Sequence, residues 1–134
     1  MYHKRSFSAL IVLTVLLTLV AGCAAKTTPG TTPGPSTGGN TITVTASGMA
    51  FDTSTITVSA GAHVTITFIN NDSGVTHNIA FYMSSAATTV IYKGENILGV
   101  SNITYTFDAP TTPGTYFFRC DIHPTTMTGE FIVK

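Results

Sequence analysis

From residue 41 to the end of the chain, apolar residues alternate with threonine, and this alternation constrains the fold more than any other feature. Isoleucine, valine and phenylalanine occupy one face, and threonine the other, in the segments TITVTA, STITVSA and HVTITFIN. A period of two indicates β-strands, which β-branched residues favour. Similar strand patterns follow in VTHNIAFY, ITYTFDA, GTYFFRC and TGEFIVK. We therefore predict an all-β domain, an antiparallel Greek-key β-sandwich or barrel of seven to eight strands.

The start of the chain has the composition of a targeting segment. Lys4 and Arg5 precede an apolar run of 14 residues, which has the length of a signal-peptide core and is short for a membrane-spanning helix. The run ends in LVAGC, which resembles the lipobox of lipoproteins. We expect residues 1–22 to be a signal peptide and Cys23 to be the lipidated N-terminus, at the outer face of the cytoplasmic membrane. An uncleaved anchor is the alternative, and either places the domain outside the cytoplasm.

The segment between Cys23 and the β domain predicts a flexible tether. Residues 27–39 are only Thr, Pro, Gly and Ser, so they have no apolar side chains that could offset the entropy of ordering. We assign residues 23–40 to the tether and residues 41–134 to the folded domain. That domain has three basic and six acidic residues, and its mild acidity argues against a nucleic-acid partner.

Two side chains with metal-binding chemistry are predicted to point into the core. By alternation, Cys120 shares a face with Phe118, and His77 shares a face with Phe81. An inward histidine is unusual in a globular domain. His63, by contrast, falls on the threonine face of its strand, which predicts an ordinary surface histidine.

The segment CDIHPTTM adds two further donors close to the cysteine. With Cys23 lipidated, Cys120 has no partner for a disulfide. Cys120, His123, Met127 and the inward His77 supply one thiolate, two imidazoles and one thioether, the donor combination of a blue-copper site. A zinc site formed by the cysteine and the two histidines, a cysteine nucleophile with a histidine base, and a buried inert thiol are the alternatives.

The domain also resembles a known family, the blue-copper proteins or cupredoxins of the plastocyanin, amicyanin and auracyanin kind. The resemblance covers residues 41–134 and is carried by NNDSGVTHNIAF and PGTYFFRCDIHPTTMTGEFIV. It implies that His77, Cys120 and His123 are equatorial copper ligands and Met127 the axial one. It also implies that the Asn78 side chain ties the two ligand segments together, while its backbone N–H donates to the cysteine sulfur.

By this resemblance we expect a membrane-tethered electron carrier that cycles between Cu(II) and Cu(I), and not an enzyme. The resemblance implies that electrons pass through the edge of His123, within an apolar patch. Redox partners in or near the membrane should then bind transiently. A lipoprotein that handles copper without electron transfer, or an adhesive module that keeps only the fold, are the alternatives.

Overall fold

A computed structural model describes residues 40–134 of the chain. The predicted signal peptide of residues 1–22, Cys23 and almost all of the predicted tether lie outside the described residues. In the part of the chain that the structure describes, no helix is long and apolar enough to cross a membrane.

The described residues contain eleven strands and no helix, which confirms the all-β prediction. The strands are β1 (Asn40–Ser47), β2 (Ala50–Phe51), β3 (Thr55–Val58), β4 (His63–Asn70), β5 (Thr76–His77), β6 (Ala80–Tyr82), β7 (Val90–Lys93), β8 (Ile97–Leu98), β9 (Ser101–Asp108), β10 (Gly114–Arg119) and β11 (Thr128–Val133). Their number exceeds the predicted seven to eight because three of them have only two residues, too few to show an alternating pattern.

The strands form two main sheets and one small pair. The first sheet has the order β2-β1-β4-β9, the second has the order β3-β11-β10-β6-β7, and β5 pairs with β8. Neighbours such as β4 and β9 are distant in sequence, as Greek-key connections require. Most strand pairs are antiparallel, as predicted, but the pairs β1–β4 and β3–β11 are parallel. Alternation identifies the buried face of a strand but carries no information on the direction of its neighbour.

The core lies on the apolar faces that the alternation predicts. Val64, Ile66 and Phe68 on β4 have no exposed surface. Phe81 and Phe131, from β6 and β11, bring their ring centroids within 5.0 Å of each other. Burial of one such side chain contributes about 1.5–3 kcal/mol. These contacts give a rigid scaffold whose strand ends can hold a site.

The segment VTHNIAFY, predicted as one strand, is divided between two sheets. His77 ends β5, whereas Ala80–Tyr82 form β6 in the five-stranded sheet. Asn78 occupies the break: it is fully buried, and its Nδ2–H donates to the carbonyl oxygen of Gly94 at 3.2 Å. The break places His77 at one end of the sandwich.

The end of the sandwich that carries His77 is opposite the start of β1. β4 ends at Asn70, whose side chain donates to the carbonyl oxygens of Val75 and Ile97 in the segments around His77. β1 runs parallel to β4 and pairs Asn40 with Val64. At about 3.3 Å per step, the six steps along β1 from Asn40 to Ala46 separate the two ends by roughly 20 Å.

Candidate metal centre

His77 is fully buried, as its inward alternation predicts. Its backbone pairs with Ile97 in the short β5–β8 pair. Its Nε2 atom lies 2.9 Å from Oδ2 of Asp72. Nδ1 is therefore the ring nitrogen that is left to face the other candidate ligands.

Cys120 and His123 lie on the loop that follows β10. Cys120 is fully buried and is a free thiol, while His123 is half-buried. The Cys120 N–H donates to the carbonyl oxygen of Met127 at 2.9 Å, and the Met127 N–H donates to the carbonyl oxygen of His123 at 3.1 Å. These two bonds close the loop, so one short segment holds three of the four predicted ligands.

The three donor atoms form a compact triangle. Cys120 Sγ lies 3.7 Å from His77 Nδ1 and 3.8 Å from His123 Nδ1, and the two nitrogens are 3.1 Å apart. A point in their plane that is equidistant from all three lies about 2.1 Å from each, which matches the 2.0–2.1 Å that imidazole nitrogens keep from a bound transition metal. The three donor atoms are therefore spaced closely enough to coordinate one ion.

The chemistry of these donors fits copper better than structural zinc. One sulfur and two imidazoles in a trigonal arrangement are the donors of a blue-copper site. Among residues 40–134, the cluster consists of these three residues, and no further histidine, cysteine or carboxylate joins it as a fourth ligand. A closed tetrahedral zinc site requires such a fourth ligand.

Comparison with known proteins agrees with this geometry. The family model of the cupredoxin-like domain matches residues 9–133. The chain belongs to the cupredoxin-like family. It is also 31% identical to auracyanin-A of Chloroflexus aurantiacus over an alignment of 154 positions, which spans 93% of this chain and 94% of that protein.

Two solved cupredoxin structures show the same fold. Auracyanin A of Chloroflexus aurantiacus, described as a "blue" copper protein, has a TM-score of 0.65 and 29% identity, covering 72% of this chain and all of the other. The dithionite-reduced auracyanin of Roseiflexus castenholzii has a TM-score of 0.65 and 27% identity, covering 71% of this chain and 97% of the other. The part of the chain that aligns is comparable in length to the described domain.

Met127 is fully buried in the same core cluster as Cys120. Its backbone closes the ligand loop, as described above, which places the residue beside the triangle. The axial role of its sulfur stays a prediction. Of the other thioethers in the described residues, Met49 is 40% exposed and Met83 is 47% exposed, so neither is part of the buried cluster.

Replacement of Met127 by Leu should leave copper bound but raise the reduction potential. A fourth donor, even a weak one, stabilises the more highly charged Cu(II) more than Cu(I), and leucine fills a similar volume without donating. A tenfold change in the relative affinity for the two oxidation states equals about 59 mV for a one-electron couple, and we expect an increase of that order. Spectroelectrochemical titration of both proteins measures it. An unchanged potential and spectrum would rule out Met127 as the axial ligand.

Asn78 connects the two ligand segments through its side chain. Its Oδ1 accepts the backbone N–H of Asp121 at 2.8 Å, which joins the residue after His77 to the residue after Cys120. Within residues 40–134, the hydrogen bonds do not include one from the Asn78 backbone N–H to the cysteine sulfur, so that part of the expectation stays a prediction.

Asp121 is a charged residue of the site that the sequence analysis missed. Tyr82 Oη donates to its carboxylate at 2.6 Å, Arg119 Nε donates at 2.9 Å, and Lys93 Nζ forms an ion pair at 3.0 Å. Burial alone would raise the pKa of Asp121, but these partners outweigh burial and lower the pKa to about 2. The ionised carboxylate fixes the start of the ligand loop.

Asp72 is the second charged residue that the sequence did not reveal. Its carboxylate accepts the backbone N–H groups of Met49 at 2.9 Å and Gly48 at 2.6 Å, in addition to contacting His77. These bonds, with that of Met49 the largest cause, lower the pKa of Asp72 against the opposing effect of burial. In the sequence, Asp72 lies in NNDSG, whose composition predicts a turn and gives no sign of a role beside His77.

His63 lies on the surface, as predicted from its position on the threonine face. Its side chain is 57% exposed, and its Nδ1 atom lies 2.8 Å from Oδ1 of Asp108. β4 begins at His63, at the end of the sandwich opposite the metal-binding cluster. Among the described histidines, only His77 and His123 contribute to that cluster.

Proposed function

We propose that the chain is an extracytoplasmic electron carrier with one type 1 (blue) copper held by His77, Cys120 and His123 and more weakly by Met127. The observation that carries this proposal is the triangle of one sulfur and two Nδ1 atoms, already at bonding geometry for one ion. When bound there, copper supplies one-electron chemistry by alternating between Cu(II) and Cu(I). The description of auracyanin A as a blue copper protein supports the same assignment.

Rigid placement of the ligands favours electron transfer over copper delivery. His77 and Cys120 are fully buried, and two backbone hydrogen bonds close the loop that carries Cys120 and His123. A site fixed in this way keeps its geometry when the oxidation state changes. A protein that delivers copper must expose its ligands to the recipient. Here only His123 is partly exposed, and the other three proposed ligands are buried.

We place the electron port at the edge of His123. The end of the sandwich around this residue has several exposed apolar side chains on segments next to the ligands: Met49, Leu98, Val100 and Ile122. Pro124, directly after His123, is also exposed. A small, uncharged apolar surface suits weak and transient contact with a redox partner.

The membrane attachment is part of the proposal and is supported by the sequence. LVAGC at residues 19–23 resembles a lipobox, and a Thr/Pro/Gly/Ser segment separates Cys23 from the domain. β1 begins at the end of the sandwich opposite His77. A tether entering there leaves the port free to meet partners in or near the membrane.

Repeated redox cycling of the full-length chain tests the function. After loading with Cu(II), we expect an intense visible thiolate-to-copper band that disappears with ascorbate and returns with ferricyanide over several cycles. Copper should remain with the protein on gel filtration. A chain that lacks the band, or that gives its copper to a competing chelator on every reduction, would support copper handling and contradict the electron-carrier proposal.

Replacement of Pro124 by Glu tests the port. A carboxylate beside His123 must be desolvated when an apolar partner surface docks, so we expect electron exchange to slow about tenfold while the visible band is unchanged. NMR line broadening in mixtures of oxidised and reduced protein measures the self-exchange rate. The matched control is Thr111→Glu, which adds the same charge to an exposed loop beside Gly61, at the opposite end of the sandwich. Equal rates for both variants would place the port elsewhere.

A further inference from the structure

The two histidines of the cluster differ in the hydrogen-bond partner of their Nε2 atoms. Nε2 of His77 lies 2.9 Å from Oδ2 of the Asp72 carboxylate. The hydrogen bonds and ion pairs found in residues 40–134 give His123 Nε2 no such carboxylate. The difference indicates that the surrounding structure holds one imidazole more tightly than the other.

The contact with Asp72 determines which nitrogen of His77 carries a proton. An ionised carboxylate accepts hydrogen bonds and cannot donate them, so His77 Nε2 must be protonated. In the neutral ring, Nδ1 then has a free lone pair. Nδ1 lies 3.7 Å from Cys120 Sγ and 3.1 Å from His123 Nδ1, so this lone pair faces the centre of the cluster.

The Asp72 carboxylate is itself fixed from several sides. Gly48 and Met49 donate their backbone N–H groups to it from the β1–β2 turn, where both residues have left-handed φ values of 61° and 64°. The Asp72 N–H donates to Oδ1 of the buried Asn70 at 3.0 Å. At Gly99, a Cβ atom would overlap the Asp72 carbonyl oxygen, so the chain packs closely there. Asp72 therefore has little freedom to turn away from His77.

We propose that Asp72 is a positioning residue, which holds His77 in its Nε2–H tautomer with Nδ1 directed at the metal site and couples this histidine to the β1–β2 turn. The proposal rests on the proposed function for the identity of His77 as a ligand. Groups that orient a ligating histidine raise metal affinity by about 10–100-fold. The β1–β2 turn then belongs to the metal centre even though it is distant from it in sequence.

Asp72→Asn in the full-length chain tests the proposal. Oδ2 of Asp72 contacts both Met49 N–H and His77 Nε2, and Oδ1 accepts from Gly48. In Asp72→Asn one of these oxygens becomes an NH₂ group and the charge is lost, so the side chain cannot accept all three bonds and any bond that it keeps to His77 is weaker. We expect the Cu(II) dissociation constant to rise by about 10–100-fold. In the metal-free protein, ¹⁵N NMR of the imidazole should show His77 changing from the pure Nε2–H tautomer to a mixture.

Asp52→Asn is the matched control. Asp52 is in the same hairpin and accepts the backbone N–H of Thr45 at 2.9 Å, but it does not contact a ligand histidine. Its replacement removes the same charge and makes the same exchange of one carboxylate oxygen for an NH₂ group. We expect the copper dissociation constant to stay within about threefold of the parent value, and the His77 tautomer to stay Nε2–H.

Two results would overturn the positioning role. One is an Nδ1–H tautomer for His77 in the metal-free parent protein, and this measurement decides the question even if Asp72→Asn does not fold. The other is Asp72→Asn resembling Asp52→Asn in tautomer and copper affinity, which would make Asp72 only a clamp for the turn. Failure of the electron-carrier proposal is distinct: redox cycling would then be absent in the parent chain while Asp72→Asn still altered the tautomer.

Discussion

Replacement of Cys120 by Ser should abolish the intense visible band and lower the copper affinity of the full-length chain by more than about 100-fold. A serine hydroxyl is a hard donor that does not ionise at neutral pH, so the site would lose its soft anionic ligand and keep two imidazoles. Sγ is the vertex at 3.7 and 3.8 Å from the two nitrogens, and no other described side chain can take its place. Titration with Cu(II), followed by absorption and by equilibrium dialysis, gives both quantities.

Cys23→Ser is the matched control, because the chain has only two cysteines. This variant should keep the visible band and the parent copper affinity. It should also leave the membrane fraction if Cys23 carries the lipid. Loss of the band in both variants, or in neither, would contradict the assignment of Cys120 as the only thiolate ligand.

The burial of individual side chains could be predicted from the sequence because it depends on local pattern. Alternation in HVTITFIN placed Val64, Ile66 and Phe68 inside and His63 outside, and the structure confirms all four. The same reasoning predicted that His77 points into the core. Period-two patterning needs no knowledge of neighbouring strands, which explains its success.

Contacts between segments that are distant in the sequence could not be predicted from local alternation. Asp72 meets Met49, 23 residues away, and Asp121 meets Tyr82, 39 residues away. Which carboxylate reaches which loop depends on strand order and direction, and two of the pairings are parallel where the pattern predicted antiparallel ones. An aspartate in a turn sequence looks the same whether it caps that turn or supports a histidine, so only the fold separates the two roles.

Replacement of Phe118 by Ala should lower the free energy of unfolding of the metal-free chain by about 3–5 kcal/mol. Phe118 has no exposed surface, and its ring centroid lies 5.5 Å from that of Phe51 and 5.9 Å from that of Phe81. A Cβ atom at Gly129, directly across from it in β11, would overlap the Phe118 ring, so the ring fills the space beside Gly129, which has no side chain of its own. Urea denaturation of the metal-free protein measures the loss.

Phe117→Ala provides the matched control, since Phe117 is the same residue type on the same strand but points to the other face and is half-buried. It should cost less than about 1 kcal/mol. Equal losses for the two variants would contradict the described orientation of β10, and with it the inward orientation of Cys120.

Domains of this size have a total stability of about 5–15 kcal/mol, so Phe118→Ala removes a large part of it. Copper binding would then have to offset that loss, and the apparent copper affinity should fall although no ligand has changed.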